Sequence, residues 1–143
     1  MRKSIIFLAL FVAVITISEM LKAQEKDSDG IVFFEGSFEE ALSQAKQENK
    51  IVFLDAYASW CGPCRAMQQF SFTSEDVGAF YNEHFINVKI DMEKGEGPAL
   101  AKALQVEAYP SLYYISPDRK VKLKEVGYQN PKGLLKIGQK VLQ

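Results

Sequence analysis

The chain has 143 residues, 48% of them apolar and 24% charged, which suits one ordinary domain with a real core and excludes disordered or low-complexity readings. Its formal charge is −1 and becomes −3 when residues 1–23 are set aside with Arg2, Lys3, Glu19 and Lys22, so no basic excess remains to hold nucleic acid. Two cysteines are too few for a disulfide framework, so they act as a pair.

The N-terminus reads as an address. Arg2 and Lys3 precede a mostly apolar run over residues 5–17, and a polar stretch follows that ends in Leu21-Lys22-Ala23. This is the pattern of an export signal removed after Ala23. Its apolar run would span about 20 Å as a helix, short of the roughly 30 Å hydrocarbon core. Leu21 stands where a smaller residue is usual, so an uncleaved N-terminal anchor is the alternative. With no cysteine at the cut, lipid attachment there is excluded. The expected organisation is a signal peptide over 1–23, a polar lead-in over 24–30 and one domain over 31–143, exported to the periplasm or secreted.

Strands and helices then alternate. Residues 31–35 form a short strand candidate. Ser37 and Glu40 have the spacing of a capping box, and Phe38, Ala41, Leu42 and Ala45 give the helix behind it an apolar face. Residues 51–58 (IVFLDAYA) are almost wholly apolar, as a central strand covered on both faces must be. A helix is expected from Cys61 towards Phe70, a shorter one from Glu75 to Glu83, a strand over 85–91 and a helix led by Pro98 to about Leu104. Residues 112–115 and 121–126 flank a turn-rich link at 116–120 and suit a hairpin. Asn130-Pro131 opens a last helix with Leu134, Leu135, Ile137 and Val141 inward. The order βαβαβαββα describes an α/β fold with a mixed sheet of about five strands and helices on both faces. Phe70, Phe72, Phe80 and Phe85 are expected in the core. His84 should lie at a helix end on the surface, and Lys120, Lys122 and Lys124 on the solvent face of an edge strand.

The chemistry sits at Trp60-Cys61-Gly62-Pro63-Cys64, where the central strand ends and a helix begins. Unpaired N–H groups and the positive dipole end of a helix stabilise a thiolate at Cys61. Two intervening residues place Cys64 one turn further in, within reach of the first sulfur. Pro63 fits the first turn, where its missing N–H costs little. Cys61 is thus the expected exposed nucleophile on a substrate disulfide, and Cys64 the resolving thiol. A zinc site would have only His84 to add, and a c-type haem motif would need histidine where Arg65 stands. A purely structural bridge is disfavoured because so small a loop constrains the unfolded chain little.

WCGPC after an apolar strand resembles the thioredoxin family, and the likeness extends over nearly the whole mature chain. The resemblance implies a thioredoxin fold, with Asp55 as a buried carboxylate before the motif, Tyr109-Pro110 as a cis-proline bond opposite the cysteines, and Gly127 following the last strand. Thr73-Ser74-Glu75-Asp76-Val77 is similar to exported members, including the C-terminal domain of the transmembrane thiol-reductant transporter. One departure bears on Asp55. Cytoplasmic members usually carry a lysine four residues before the aspartate that ends the third strand; here Asn87 stands there and Lys89 two further on, so the family's ion pair with Asp55 does not carry over from the pattern.

The resemblance implies an exported protein-disulfide reductase, with Cys61, Cys64 and Asp55 catalytic and no cofactor or metal. A substrate segment bearing cysteine would lie over Trp60, Gly62, Pro63, Tyr109, Pro110 and Gly127 as an added strand. It implies a monomer recycled by a separate donor, for which a membrane thiol-reductant transporter is one candidate. An oxidase or isomerase of the same fold, and a non-enzymatic binding module, are the alternatives. With neither intervening residue charged, the expected thiol pKa is about 7 and the potential lies nearer roughly −270 mV than roughly −120 mV.

Overall fold

The computed structural model describes residues 30–143. The signal peptide expected over 1–23, its expected cleavage point and most of the lead-in therefore lie outside the described residues. Among the described residues no helix is long and apolar enough to cross a membrane.

Helix α1, Phe38–Glu48, begins at the expected capping box: the Glu40 N–H donates to Ser37 Oγ at 3.2 Å, and the Ser37 N–H donates to Glu40 Oε2 at 2.7 Å. Strand β1, Ile51–Tyr57, follows and lies inside the sheet. Helix α2, Gly62–Ala66, passes directly into a π-helical turn, Met67–Ser71. Then come α3, Glu75–His84; β2, Phe85–Asp91; α4, Gly97–Ala103; the hairpin strands β3, Ser111–Ile115, and β4, Val121–Val126; and α5, Pro131–Val141. Asn130 caps α5 by accepting from the Gly133 N–H at 2.8 Å.

The sheet order is β2-β1-β3-β4. β1 runs parallel to β2, with Ile51 opposite Phe85 and Asp55 opposite Lys89, and antiparallel to β3, with Val52 opposite Ile115. Alternation along β1 sends Val52, Leu54 and Ala56 into a core shared with Phe38, Ala41 and Leu42 of α1 and the half-buried Leu100 and Leu104 at α4. Phe53 faces the opposite way, into a core with Met67, Val77, Tyr81 and Leu134. Helices thus cover both faces, as expected. Lys120, Lys122 and Lys124 are exposed on and beside the β4 edge.

Two expectations are corrected. Residues 31–35 are not a strand, so the described sheet has four strands rather than about five. The segment follows the β2 edge, but side-chain amides take the bonds a ladder would make. Asn82 accepts from the Val32 N–H at 2.8 Å and donates to the Gly30 carbonyl at 3.0 Å. One backbone bond to β2 survives, from the Phe34 N–H to the Asn87 carbonyl at 2.7 Å. Gly78 permits the close approach: a Cβ there would meet Gly30 backbone at 2.4 Å.

The second correction is Phe70, which is 66% exposed rather than in the core. The helix opens into its π turn there, and Met67 and Ser71 are the residues turned inward. The Gln129 N–H donates to the Met67 sulfur at 3.4 Å, and Ser71 Oγ donates to the Gln129 carbonyl at 2.7 Å. The turn therefore ties helix α2 to the loop that follows Gly127. Phe72, Phe80 and Phe85 do pack in or against the core.

Candidate functional site

Cys61 and Cys64 form a disulfide, with S–S 2.11 Å and Cα–Cα 5.3 Å. Cys61 is the N-cap of α2, and its sulfur accepts from the Cys64 N–H at 3.2 Å. Pro63 lies in the first helical turn. Cys61 is not the exposed sulfur that its place at the helix end suggests. It is 3% exposed and Cys64 1%, because Ala58, Tyr57 and Tyr109 pack against the pair. What distinguishes the two is hydrogen bonding: Cys61 sulfur receives a backbone donor.

The Tyr109-Pro110 bond is cis, and Pro110 is buried at the start of β3. Its carbonyl accepts from the Gly127 N–H at 2.8 Å. Gly127 has φ +98°, a conformation that side-chain-bearing residues rarely adopt, and a Cβ there would project into open space. Gly62 is equally open above the cysteines. Trp60 is 65% exposed, with its ring edge-on to Tyr109 at 5.8 Å. The structure thus gathers Trp60, Cys61, Cys64 and Tyr109, and joins Gly127 to Pro110 by a hydrogen bond.

Asp55 lies on the same face of β1 as Phe53 and Tyr57, 1% exposed, and neither carboxylate oxygen has a hydrogen-bond partner among the described residues. Burial pushes its pKa up to about 7, opposed by the Lys89 charge and by Gln68. Among the described residues no salt bridge reaches Asp55, so Lys89 acts on it only as a nearby charge. Parallel register sets Lys89 directly opposite Asp55, although its spacing from Asp91 differs from that of cytoplasmic relatives. Lys89 is exposed at its tip, 5.0 Å from the Phe33 ring centroid. Lys89 and Gln68 also line a cavity of about 580 Å³ with Ile31, Phe33 and Phe72, so the groups acting on Asp55 stand at the water boundary.

Two contributors escaped sequence reasoning. Gln68 lies one turn beyond Cys64, a helical spacing that could have marked it. Glu93 accepts from the Trp60 indole N–H at 3.0 Å, and no local pattern announces that contact.

Residues 20–111 match the thioredoxin-like DsbH family, described as a protein of unknown function, DUF255. A structure from Bacteroides thetaiotaomicron, proposed to be a disulphide-isomerase, is 43% identical and superimposes with TM-score 0.68 over 78% of this chain and 93% of its own. The oxidised C-terminal domain of DsbD from Neisseria meningitidis shares the fold at 20% identity, with TM-score 0.62 over 77% of this chain and 97% of that one. Spermatogenesis-associated protein 20 of Rattus norvegicus is 41% identical over 56 residues, which are 39% of this chain and 7% of that protein. The chain therefore has the thioredoxin fold with a Cys61–Cys64 disulfide, and it belongs to the thioredoxin-like DsbH family (DUF255).

Proposed function

We propose that the protein is an exported thiol–disulfide oxidoreductase that reduces protein disulfides. The observation that carries the reading is the Cys61–Cys64 disulfide at the start of α2, packed against Tyr109 beside a cis-proline. In the reduced enzyme the Cys64 N–H and the helix end favour the Cys61 thiolate. That thiolate attacks one sulfur of a substrate disulfide, forming a mixed disulfide and expelling the other as a thiolate. Asp55 then takes the proton from Cys64. The Cys64 thiolate attacks Cys61 sulfur, releasing the second substrate thiolate and restoring the bridge. Two electrons pass to the substrate, and a separate dithiol donor must return them.

Asp55 suits the proton step because a carboxyl titrating near 7 can both accept and return a proton at neutral pH. Trp60, Gly62, Pro63, Tyr109, Pro110 and Gly127 form the proposed substrate surface, where an extended segment pairs beside Pro110. Export rests on the pattern of residues 1–23. The donor's proposed class is a membrane thiol-reductant carrier, by likeness to the DsbD domain.

The B. thetaiotaomicron relative favours a second reading, disulfide isomerisation. Reductase activity predicts dithiol-dependent precipitation of insulin and a potential near roughly −270 mV in a glutathione buffer. A potential above about −180 mV would transfer the protein to the isomerase class.

A further inference from the structure

Trp60 is the largest exposed side chain at the site, yet it is held on two sides. Its indole N–H donates to Glu93 Oε2 at 3.0 Å, and its ring meets the edge of Tyr109. Glu93 comes from the loop that leaves β2, and that loop is itself fastened to the cysteine loop. The Glu93 N–H donates to Asp91 Oδ1 at 3.1 Å. Lys94 pairs with Asp91 Oδ2 at 3.2 Å and donates to Ser59 Oγ at 3.3 Å.

The charges at this rim are sorted by side. Lys94 is paired with Asp91, and Arg65 donates to the Ser59 carbonyl at 3.1 Å, so both cations stand at Ser59. Glu93 has no ion-pair partner among the described residues, and its side chain makes one hydrogen bond, to the indole. On the other side of Trp60, the Tyr109 hydroxyl is held above its usual pKa by its own burial and then by the Glu93 and Asp91 charges. The Glu93 carboxylate, bonded to the indole that packs on Tyr109, thus brings an unpaired negative charge close to the proline along which a substrate segment would pair.

We propose that Glu93 is a specificity-determining residue: its carboxylate fixes Trp60 and selects substrate segments that carry Lys or Arg beside the reacting cysteine. The inference rests on the thiol-exchange reading above, without depending on the net direction of electron flow. Position and charge are separable, because glutamine keeps an oxygen for the indole N–H and loses the charge.

The test measures mixed-disulfide formation on a reduced Cys64→Ser variant with two oxidised peptides, identical except for Lys or Glu next to the disulfide cysteine. The Lys peptide should react about 3- to 10-fold faster at low salt, and the ratio should shrink at about 0.5 M salt as the charge is screened. Adding Glu93→Gln should bring the ratio near one with Trp60 fluorescence unchanged, whereas Glu93→Ala should also alter the fluorescence. Equal rates for the two peptides, or a preference surviving in Glu93→Gln, would overturn the inference. Insulin reduction by the wild-type protein reports separately on the proposed function. Selectivity without insulin reduction would leave the inference standing and sink the reductase reading; reduction without selectivity would do the reverse.

Discussion

Two carboxylates carry the proposed chemistry around the cysteine pair, and their surroundings are inverted. Asp55, underneath, is shut away from water with neither oxygen bonded, and its pKa rises to about 7. Glu93, on the rim, is exposed and holds the Trp60 indole N–H. Burial converts the first into a group that exchanges a proton at neutral pH, because desolvation penalises its charged form. Exposure lets the second act through its charge and its one hydrogen bond. On the proposed function, the same functional group would supply a proton acceptor in one place and a steering field in the other.

The comparison has meaning only if both groups act on one sulfur pair, and the largest predicted effect tests that. Cys61→Ser should abolish insulin reduction. Cys64→Ser should stop after one event and accumulate a mixed disulfide with substrate, visible as an added mass that dithiothreitol removes. If Cys61→Ser retained turnover and Cys64→Ser did not, the order of attack would be reversed. Alkylation sharpens the point: Cys61 should react well before Cys64 near neutral pH, from its N–H bond rather than from exposure.

Asp55→Asn is expected to break the lower half of the comparison alone. Loss of the proton acceptor should slow resolution of the mixed disulfide at pH 7 by about 100-fold, the lower end of general-base effects. Its stability effect has the opposite sign. In the unfolded chain the group titrates near about 3.9, against about 7 when folded. The folded state therefore binds the proton more tightly. The contribution of Asp55 to stability is greatest below about pH 4, falls as pH rises to about 7 and then levels, a loss on the order of 4 kcal/mol. In urea unfolding of the oxidised protein, the difference between wild type and Asp55→Asn should show that slope, because the other carboxyls titrate alike in both. The variant should be the more stable at pH 8 and equal at pH 4. A parallel pair of profiles would mean that Asp55 does not titrate in this range.

Much of this arrangement is legible in the sequence, for identifiable reasons. An almost unbroken apolar run at 51–58 can only be a strand covered on both faces, and Asp55 stands out within it. The capping box at Ser37 and Glu40 and the Asn130 cap depend on neighbours three residues apart, so local pattern suffices. The failures involve partners far along the chain. Residues 31–35 (IVFFE) are rich in strand-forming side chains, but Asn82, about fifty residues later, supplies the amide that replaces a ladder. Phe70 is apolar and at helical spacing, yet the tie between the π turn and Gln129 decides which residues face inward. Cys61 is covered by Tyr109, which the fold alone brings near. Counting to the end of the strand does not reveal that Lys89 lies opposite Asp55, which is a matter of parallel register. Pro110 is cis in the structure, and only the family resemblance anticipated it.

The asparagine replacement of a ladder leads to a smaller effect. Asn82→Ala should remove the bonds to the Val32 N–H and the Gly30 carbonyl and cost about 1–3 kcal/mol, the usual penalty for a lost hydrogen-bond partner. Amide exchange should rise in residues 31–34 and stay slow in β1. Unchanged protection there would show that Phe33 and Ile31 packing suffices to hold the segment.

The smallest effect addresses the cation between the two sides. Lys89 lies opposite Asp55 and lowers its pKa, second to the burial that raises it. Because the ammonium is exposed, its influence is partly screened, and replacing it should change turnover less than about tenfold at pH 7. The sign is fixed: Lys89→Met removes an attraction for the carboxylate, so the folded pKa of Asp55 must rise further above 7. The pH window over which the oxidised protein loses stability should then extend upward, and the pH at which mixed-disulfide resolution becomes fast should move the same way. Glu93→Gln, on the exposed side, should leave both profiles where they are. Carbon-13 labelling of the aspartate carboxyl carbons would follow the Asp55 titration directly in all three proteins. An unmoved titration in Lys89→Met would show that Gln68, rather than Lys89, is the group opposing burial. An equal move in Glu93→Gln would show that the rim and the underside share one field, and the contrast between the two carboxylates would then fail.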